Sequence, residues 1–234
     1  MTSLRIGFDM DGVLADFASA YHAVEDRLYG QAVEHTRLED PAEEALADEK
    51  RSLPTNDSTL AIGQNRRRRD AIWRAIVSTP NFWMSLAPTQ EGVVQRIHEL
   101  TLRNKWEVFF ITQRPATDGD TVQRQTQRWL VAEGFDLPSV LVINGSRGAA
   151  AGALRLDYHV DDNQQNCLDV KSQSTARPIL IVDPTDDVAI ASARRLGIGT
   201  ARSVSECLAI LEEATHNRAH PRLLDKLAQL VGWM

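Results

Sequence analysis

Phe8-Asp9-Met10-Asp11-Gly12-Val13-Leu14-Ala15-Asp16-Phe17 follows directly on Leu4-Arg5-Ile6-Gly7, and the reading of this stretch decides the fold. A short β-rich run that ends in carboxylates and a glycine, then passes into helical spacing, reads as the opening of a βα unit. Four further β-rich runs follow: Trp106 to Thr112, Ser139 to Asn144, Tyr158 to Asp162 and Pro178 to Asp183. Helical patterns separate them. This alternation predicts an α/β fold, a Rossmann-like parallel sheet with crossover helices.

Leu14, Phe17, Ala18, Tyr21 and Leu28 predict a helix after the first run, with Gly30 past its end. Thr89 reads as the cap of a helix carrying Val93, Val94, Ile97 and Leu100. Val122, Trp129, Leu130 and Glu133 predict another, beginning near Asp120 and stopping at Gly134. From Gln31 to Pro88 the chain is charged, includes Arg66-Arg67-Arg68-Arg69 and shows no strand pattern. A structureless loop of that length does not suit a compact domain, so a helical cap is expected at residues 17–88, inserted in a core of residues 1–16 and 89–234. Its most apolar part, Ala71 to Leu86, carries Ile72, Trp73, Ile76, Phe82, Trp83 and Leu86.

Lys and Arg number 26 against 32 Asp and Glu, a net charge of −6, so broad attraction to nucleic acid or an anionic membrane is not expected. Any phosphate must be held by a local device. Cys167 and Cys207 are too few for a disulfide framework or a four-ligand zinc site. Met1-Thr2-Ser3 leads at once into the first strand, and no stretch approaches the ~20 apolar residues of a membrane span, so a cytoplasmic protein is expected.

In open parallel sheets, ligands bind beyond the carboxyl ends of the strands. The first run ends in Asp9 and Asp11, the second in Thr112-Gln113-Arg114 and the fourth in Asp161-Asp162. Carboxylates converging there repel one another unless a cation sits among them, and oxygen-only ligands suit Mg²⁺. Asp9 and Asp11 can divide labour, one attacking phosphorus and the other moving protons, while Thr112 and Arg114 grip a phosphate. An isolated Asp-x-Asp is also ordinary turn and capping chemistry; its company at three strand ends favours catalysis.

Asp9 to Phe17, Thr112 and Val160-Asp161-Asp162 resemble the first, second and fourth motifs of the haloacid dehalogenase-like hydrolase superfamily. Within it the chain is most similar to the 5′(3′)-deoxyribonucleotidases, through the Asp9 to Phe17 stretch, Asn81-Phe82-Trp83-Met84-Ser85-Leu86 and the segment from Gln127 to Val142. The resemblance implies a phosphatase with an inserted helical cap. Asp9 is then the nucleophile and Asp11 the general acid/base. Mg²⁺ is held by the Asp9 carboxylate, the Asp11 backbone carbonyl and Asp162, with Asp161 in support, and Thr112 hydrogen-bonds the phosphoryl group. The family's third-motif lysine is replaced by Arg147, within Asn144-Gly145-Ser146-Arg147-Gly148. The family's mid-cap aromatics have no counterpart before Arg66, which leaves Trp73, Phe82 and Trp83 as a stacking wall for a base.

The expected activity is a Mg²⁺-dependent phosphomonoesterase acting through an aspartyl-phosphate on a nucleoside or deoxynucleoside 5′-monophosphate, with Gln113, Arg114 and Arg147 also binding substrate. The alternatives are a phosphatase of sugar phosphates or other small phosphorylated metabolites and, in another class, a non-catalytic phosphate-binding module. The arginine run reads as a solvated helix face, and Asp183 to Asp187 as a turn and helix start. None of the six histidines has a partner spaced for zinc, and His98 falls on the polar side of its helix. Leu223, Leu224, Leu227, Leu230 and Val231 form a stripe that packs on the core or, alternatively, builds a homodimer.

Overall fold

The computed structural model describes residues 3–30 and 56–218. β1 (Arg5–Asp9) leads to α1 (Phe17–Tyr29), α2 (Asn56–Val77) and a 3₁₀ turn at Phe82–Met84. There follow α3 (Val93–Asn104), β2 (Glu107–Thr112), α4 (Val122–Ala132), β3 (Val140–Val142), α5 (Arg147–Ala153) and β4 (Tyr158–Asp161). The chain continues with α6 (Gln164–Gln173), β5 (Arg177–Ile181), α7 (Asp187–Arg195), β6 (Gly199–Ala201) and α8 (Val204–Arg218). The strands form one parallel sheet in the order β3-β2-β1-β4-β5-β6. β1 is central, so its end is flanked by the ends of β2 and β4. The α/β parallel sheet read from the sequence is the fold observed.

Ile6 and Phe8 of β1, Phe110 of β2, Val160 of β4 and Ile179 of β5 are fully buried, as strands covered on both faces require. Val93, Val94, Ile97 and Leu100 bury one face of α3, and Val122, Trp129 and Leu130 one face of α4, as their spacing predicts. Gly134 follows α4 in the left-handed region.

Several local readings are corrected. Leu14 precedes α1; its N–H donates to Met10 O in a turn, and the Asp16 side chain caps the helix by accepting from Ser19 N. Gly92, in the left-handed region, stands at the N-cap of α3, while the Thr89 hydroxyl donates to Val13 O (2.6 Å). His98 is half-buried, its ring edge-on to Phe135 at 5.0 Å, and not on an open polar face. Arg68 departs from the solvated-face reading: its Nε lies 2.8 Å from Oε1 of the fully buried Glu25. β6 has no counterpart among the expected strands. Asp183 and Asp186 behave as turn and cap residues, accepting from Thr185 N and Ala189 N. Residues 31–55 and the stripe from Leu223 to Val231 lie outside the described residues.

The chain leaves the sheet after β1 and rejoins it before β2 at one place. Asp16 N donates to Ala87 O (2.8 Å), Thr89 N to Leu14 O (2.9 Å), and Ala15 and Pro88 form an antiparallel bridge. Phe17, Tyr21 and Trp73 from the inserted helices join Phe82 and Trp83 in one aromatic cluster against the sheet.

Candidate active site

Parallel register builds the centre. Gly7 pairs with His159 and Phe8 with Val160, so the following residue of each strand, Asp9 and Asp161, emerges at one level on one face. One ligand oxygen each from Asp9, Asp161 and Asp162 lie within 4.8 Å of one another. Gly12 makes the third approach possible: a Cβ there would stand 1.8 Å from Asp162 Oδ2, and its φ of +78° suits glycine. Three carboxylates in that space fit a divalent cation bound by hard oxygen ligands.

Asp161 is held before any cation binds. His159 Nε2 donates to its Oδ2 (3.0 Å), and Asn163 N and Asn166 Nδ2 donate to Oδ1 (2.9 and 3.2 Å). Burial alone would raise its pKa; the His159 hydrogen bond and charge, Arg147 and the Asn163 amide together bring it below the usual carboxylate range. His159 is fully buried, and room for its ring depends on Gly7, where a Cβ would stand 2.8 Å from Nδ1. His159 and Asn166 escaped the sequence reading, although a histidine two residues before Asp161 shares its strand face.

Asp9 is 5% exposed, and desolvation pushes its pKa well up. Arg147 opposes that, while Asp161, Asp162 and Asp11 add to it. The counter-charge comes from the first turn of α5, where Ser146 caps the helix and Arg147 directs Nη2 to Asp9 Oδ1 (2.6 Å). Arg147 Nε is 3.7 Å from Asp161 Oδ2. Arg147 Nε and Nη1, and the Thr112 hydroxyl one strand away, are buried without a hydrogen-bond partner among the described residues. Buried donors left unpaired are costly unless a ligand completes them, and Arg147 carries two of them beside the Nη2 that holds Asp9. Burial also raises the Cys167 thiol, with the carboxylates of Asp161, Asp162 and Asp9 adding to the effect.

Asp11 is half-buried and accepts a bidentate pair from Arg114, Nε to Oδ2 (2.7 Å) and Nη2 to Oδ1 (2.6 Å). Gln113 is exposed at the end of β2. The structure thus brings Asp9, Asp11, Thr112, Gln113, Arg114, Arg147, Asp161 and Asp162 to one edge of the sheet. Phe82 and Trp83, at 5% and 1% exposure, lie within the aromatic cluster and present no open ring face. Among the described residues no helix is long and apolar enough to cross a membrane.

Comparison with known proteins agrees with this arrangement. Among solved structures the fold is similar to the haloacid dehalogenase-like hydrolase SP0104 from Streptococcus pneumoniae (TM-score 0.55, 13% identity, covering 89% of this chain and 98% of that one). It is also similar to a putative beta-phosphoglucomutase from Thermotoga maritima (TM-score 0.53, 17% identity, 90% and 99% covered). A hydrolase from Pseudomonas syringae aligns with a TM-score of 0.55 at 13% identity, over 91% and 99%. No curated protein matches the chain. The family profile described as 5′ nucleotidase, deoxy (Pyrimidine), cytosolic type C protein matches residues 2–195, which include every strand end of the site. The chain therefore belongs to this 5′-nucleotidase family of haloacid dehalogenase-like phosphatases, and is a phosphoric monoester hydrolase.

Proposed function

We propose that the protein is a Mg²⁺-dependent phosphatase of nucleoside or deoxynucleoside 5′-monophosphates, working through an aspartyl-phosphate on Asp9. The observation that carries this reading is a set of buried donors without a hydrogen-bond partner among the described residues, Nε and Nη1 of the Arg147 that holds Asp9 and Thr112 Oγ1 at the end of the neighbouring strand. Such donors suit the oxygens of a phosphoryl group.

In the first half-reaction an Asp9 oxygen attacks phosphorus, the ester P–O bond breaks, and the departing oxygen takes a proton from Asp11, which enters the cycle protonated on one oxygen while Arg114 holds the other. In the second, water attacks the phosphorus of the aspartyl-phosphate and returns a proton to Asp11, releasing phosphate and the Asp9 carboxylate. Arg147 holds one Asp9 oxygen and offers its remaining donors to the phosphoryl group. Asp9, Asp162 and the Asp11 backbone carbonyl would hold Mg²⁺, with Asp161 behind them. The bound ion supplies charge neutralisation for the phosphoryl oxygens.

Residues 17–88 act in this reading as a helical cap over the site. Phe17 and Trp73, stacked at 5.6 Å and each half-buried, are partly open aromatics suited to meet a base. The burial of Phe82 and Trp83 favours a second reading, a phosphatase of sugar phosphates or similar small esters, because it removes two of the three rings expected to stack on a base. A panel of phosphorylated metabolites assayed with Mg²⁺ separates the two. Nucleoside 5′-monophosphates should give the highest kcat/KM; sugar phosphates turned over equally well would overturn the nucleotide assignment.

A further inference from the structure

Two arginines stand at this sheet edge, and their donors are used differently. Arg147 keeps Nε and Nη1 without a hydrogen-bond partner among the described residues, Nε lying 3.7 Å from Asp161 Oδ2. Arg114 has every nitrogen engaged: Nε and Nη2 on the two Asp11 oxygens, and Nη1 on the Thr126 hydroxyl (3.0 Å). One face of its guanidinium is covered by the Trp83 ring, 4.7 Å to the centroid. The donors that wait for phosphate are therefore those of Arg147. The planar fork of Arg114 instead fixes where the Asp11 carboxylate points.

Trp83 is itself clamped. Its indole N–H donates to Pro115 O (3.0 Å) and its backbone N–H to Gln125 Oε1 (3.1 Å). Gln125, fully buried on α4, donates to Asp120 O (2.6 Å) and Thr117 Oγ1 (2.9 Å). Asp120 N donates to Asn81 Oδ1 (2.9 Å), Asn81 N to Asp118 O (2.7 Å), and Asp118 N to Val77 O (2.8 Å). The segment that returns from the insertion and the loop after β2 are thus one hydrogen-bonded unit closed on Arg114.

We propose that Arg114 is a positioning residue for the acid/base work of Asp11, and that Trp83 acts on catalysis by setting Arg114. This rests on the reading of Asp11 as the acid that protonates the departing oxygen. An alkyl ester leaves as a strongly basic oxygen and needs that proton, whereas the oxygen of p-nitrophenyl phosphate leaves readily without it. Misplacing Asp11 therefore harms the alkyl ester more. Loss of a phosphate contact, or of stability, harms both alike.

The test compares kcat/KM, which reports the steps through ester cleavage, on thymidine 5′-monophosphate and p-nitrophenyl phosphate with Mg²⁺. Arg114→Gln should lose about 10-fold or more on the nucleotide beyond its loss on the aryl ester, a fraction of the ~10² to 10⁴-fold that general acid/base catalysis supplies. Arg114→Lys, which keeps the charge without the fork, should show the same bias at smaller size. Trp83→Leu, which removes the ring from the Arg114 guanidinium, should follow Arg114→Gln. In an Asp11→Asn background the Arg114 and Trp83 substitutions should add little further bias, because their route to the chemistry is gone. Equal losses on both esters, or a bias that persists undiminished in that background, would overturn the proposal. A bias in Asp11→Asn with none in the Arg114 variants removes the Arg114 role alone. If Asp11→Asn itself shows no bias, the acid role of Asp11 fails and the proposal falls with it.

Discussion

Arg147 Nη2 stands 2.6 Å from Asp9 Oδ1, so this buried carboxylate has its counter-charge on a helix start and not on its own strand. Arg147→Ala should lower kcat by roughly 10² to 10³-fold, the scale for removing one stabiliser of a developing anion. Arg147→Lys should keep more activity, since the charge survives without the fork. Steady-state kinetics with Mg²⁺ decide the matter, and an alanine variant with wild-type rates would assign the charge elsewhere.

Replacing the two carboxylates separates their roles. Asp9→Asn should abolish turnover, because an amide does not attack phosphorus. Asp11→Asn should lose about 10² to 10⁴-fold while still forming the phospho-enzyme on an activated aryl ester. Acid-quench trapping of phosphorylated protein checks both, and turnover by Asp9→Asn would refute the nucleophile.

Gly12→Ala tests the approach of Asp162. The added Cβ meets Asp162 Oδ2 at 1.8 Å in a backbone conformation with φ of +78°. The fold should lose about 1 kcal/mol or more, and Asp162 must withdraw. A titration of activity against Mg²⁺ should then need more ion for half-maximal rate. An unchanged titration would take Asp162 out of the metal site.

Burial holds the Asp9 pKa well above the ordinary value, with the charges of its acidic neighbours adding to the rise. The stability this carboxyl contributes is therefore complete below the unfolded pKa of about 4 and is lost as pH rises through its raised folded value. Asp161 is lowered, so its contribution is present above the unfolded pKa and fades only as pH falls through a lower value, outside that window. Without a divalent cation, neutral pH is thus the hardest condition for Asp9. Mg²⁺ should raise Tm more at pH 7.5 than at pH 5, and chelator should stop aryl phosphate hydrolysis until Mg²⁺ is restored. Equal Tm shifts at both pH values, or full activity in chelator, would contradict this.

Glu25 is fully buried on α1 and faces Arg68 of α2, whose guanidinium also lies over Tyr29. Arg68→Ala removes the guanidinium that faces the buried Glu25 carboxylate. A loss of about 3 kcal/mol is expected, the low end for breaking a buried pair because Arg68 keeps some solvent contact. Urea melts measure it, and the double variant with Glu25→Gln should lose less than the two single changes added together.

The strand ends were readable because Asp9, Thr112 and Asp161 close short apolar runs, and parallel order then gathers them. Zinc spacing asks for ligands along the chain and so does not mark His159, whose partner sits two residues on along the same strand face. The two arginines could not be told apart as residues: both lie near phosphate-binding positions, and only their donor geometry separates them. β6, at Gly199-Thr200-Ala201, offers neither length nor a β-branched run. Thr89 carries the right chemistry for a cap, but the turn at Gly92 starts α3 three residues later and frees the hydroxyl for Val13 O.

The bridge between Ala15 and Pro88 brings the two ends of the insertion together beside the sheet. Whatever lies between them can lengthen or shorten without re-registering a single strand, and each doubling of a flexible loop there costs only about 0.6 kcal/mol in closure entropy. Geometrically the position is a socket, open to inserts of different length. Energetically it is not a clean one, because Ile72, Ile76, Phe82 and Trp83 share an apolar cluster with Phe8 and Phe110. A transplanted insert would have to bring its own apolar lid, so divergence here should run fast in length and slowly in the few residues that seal the joint.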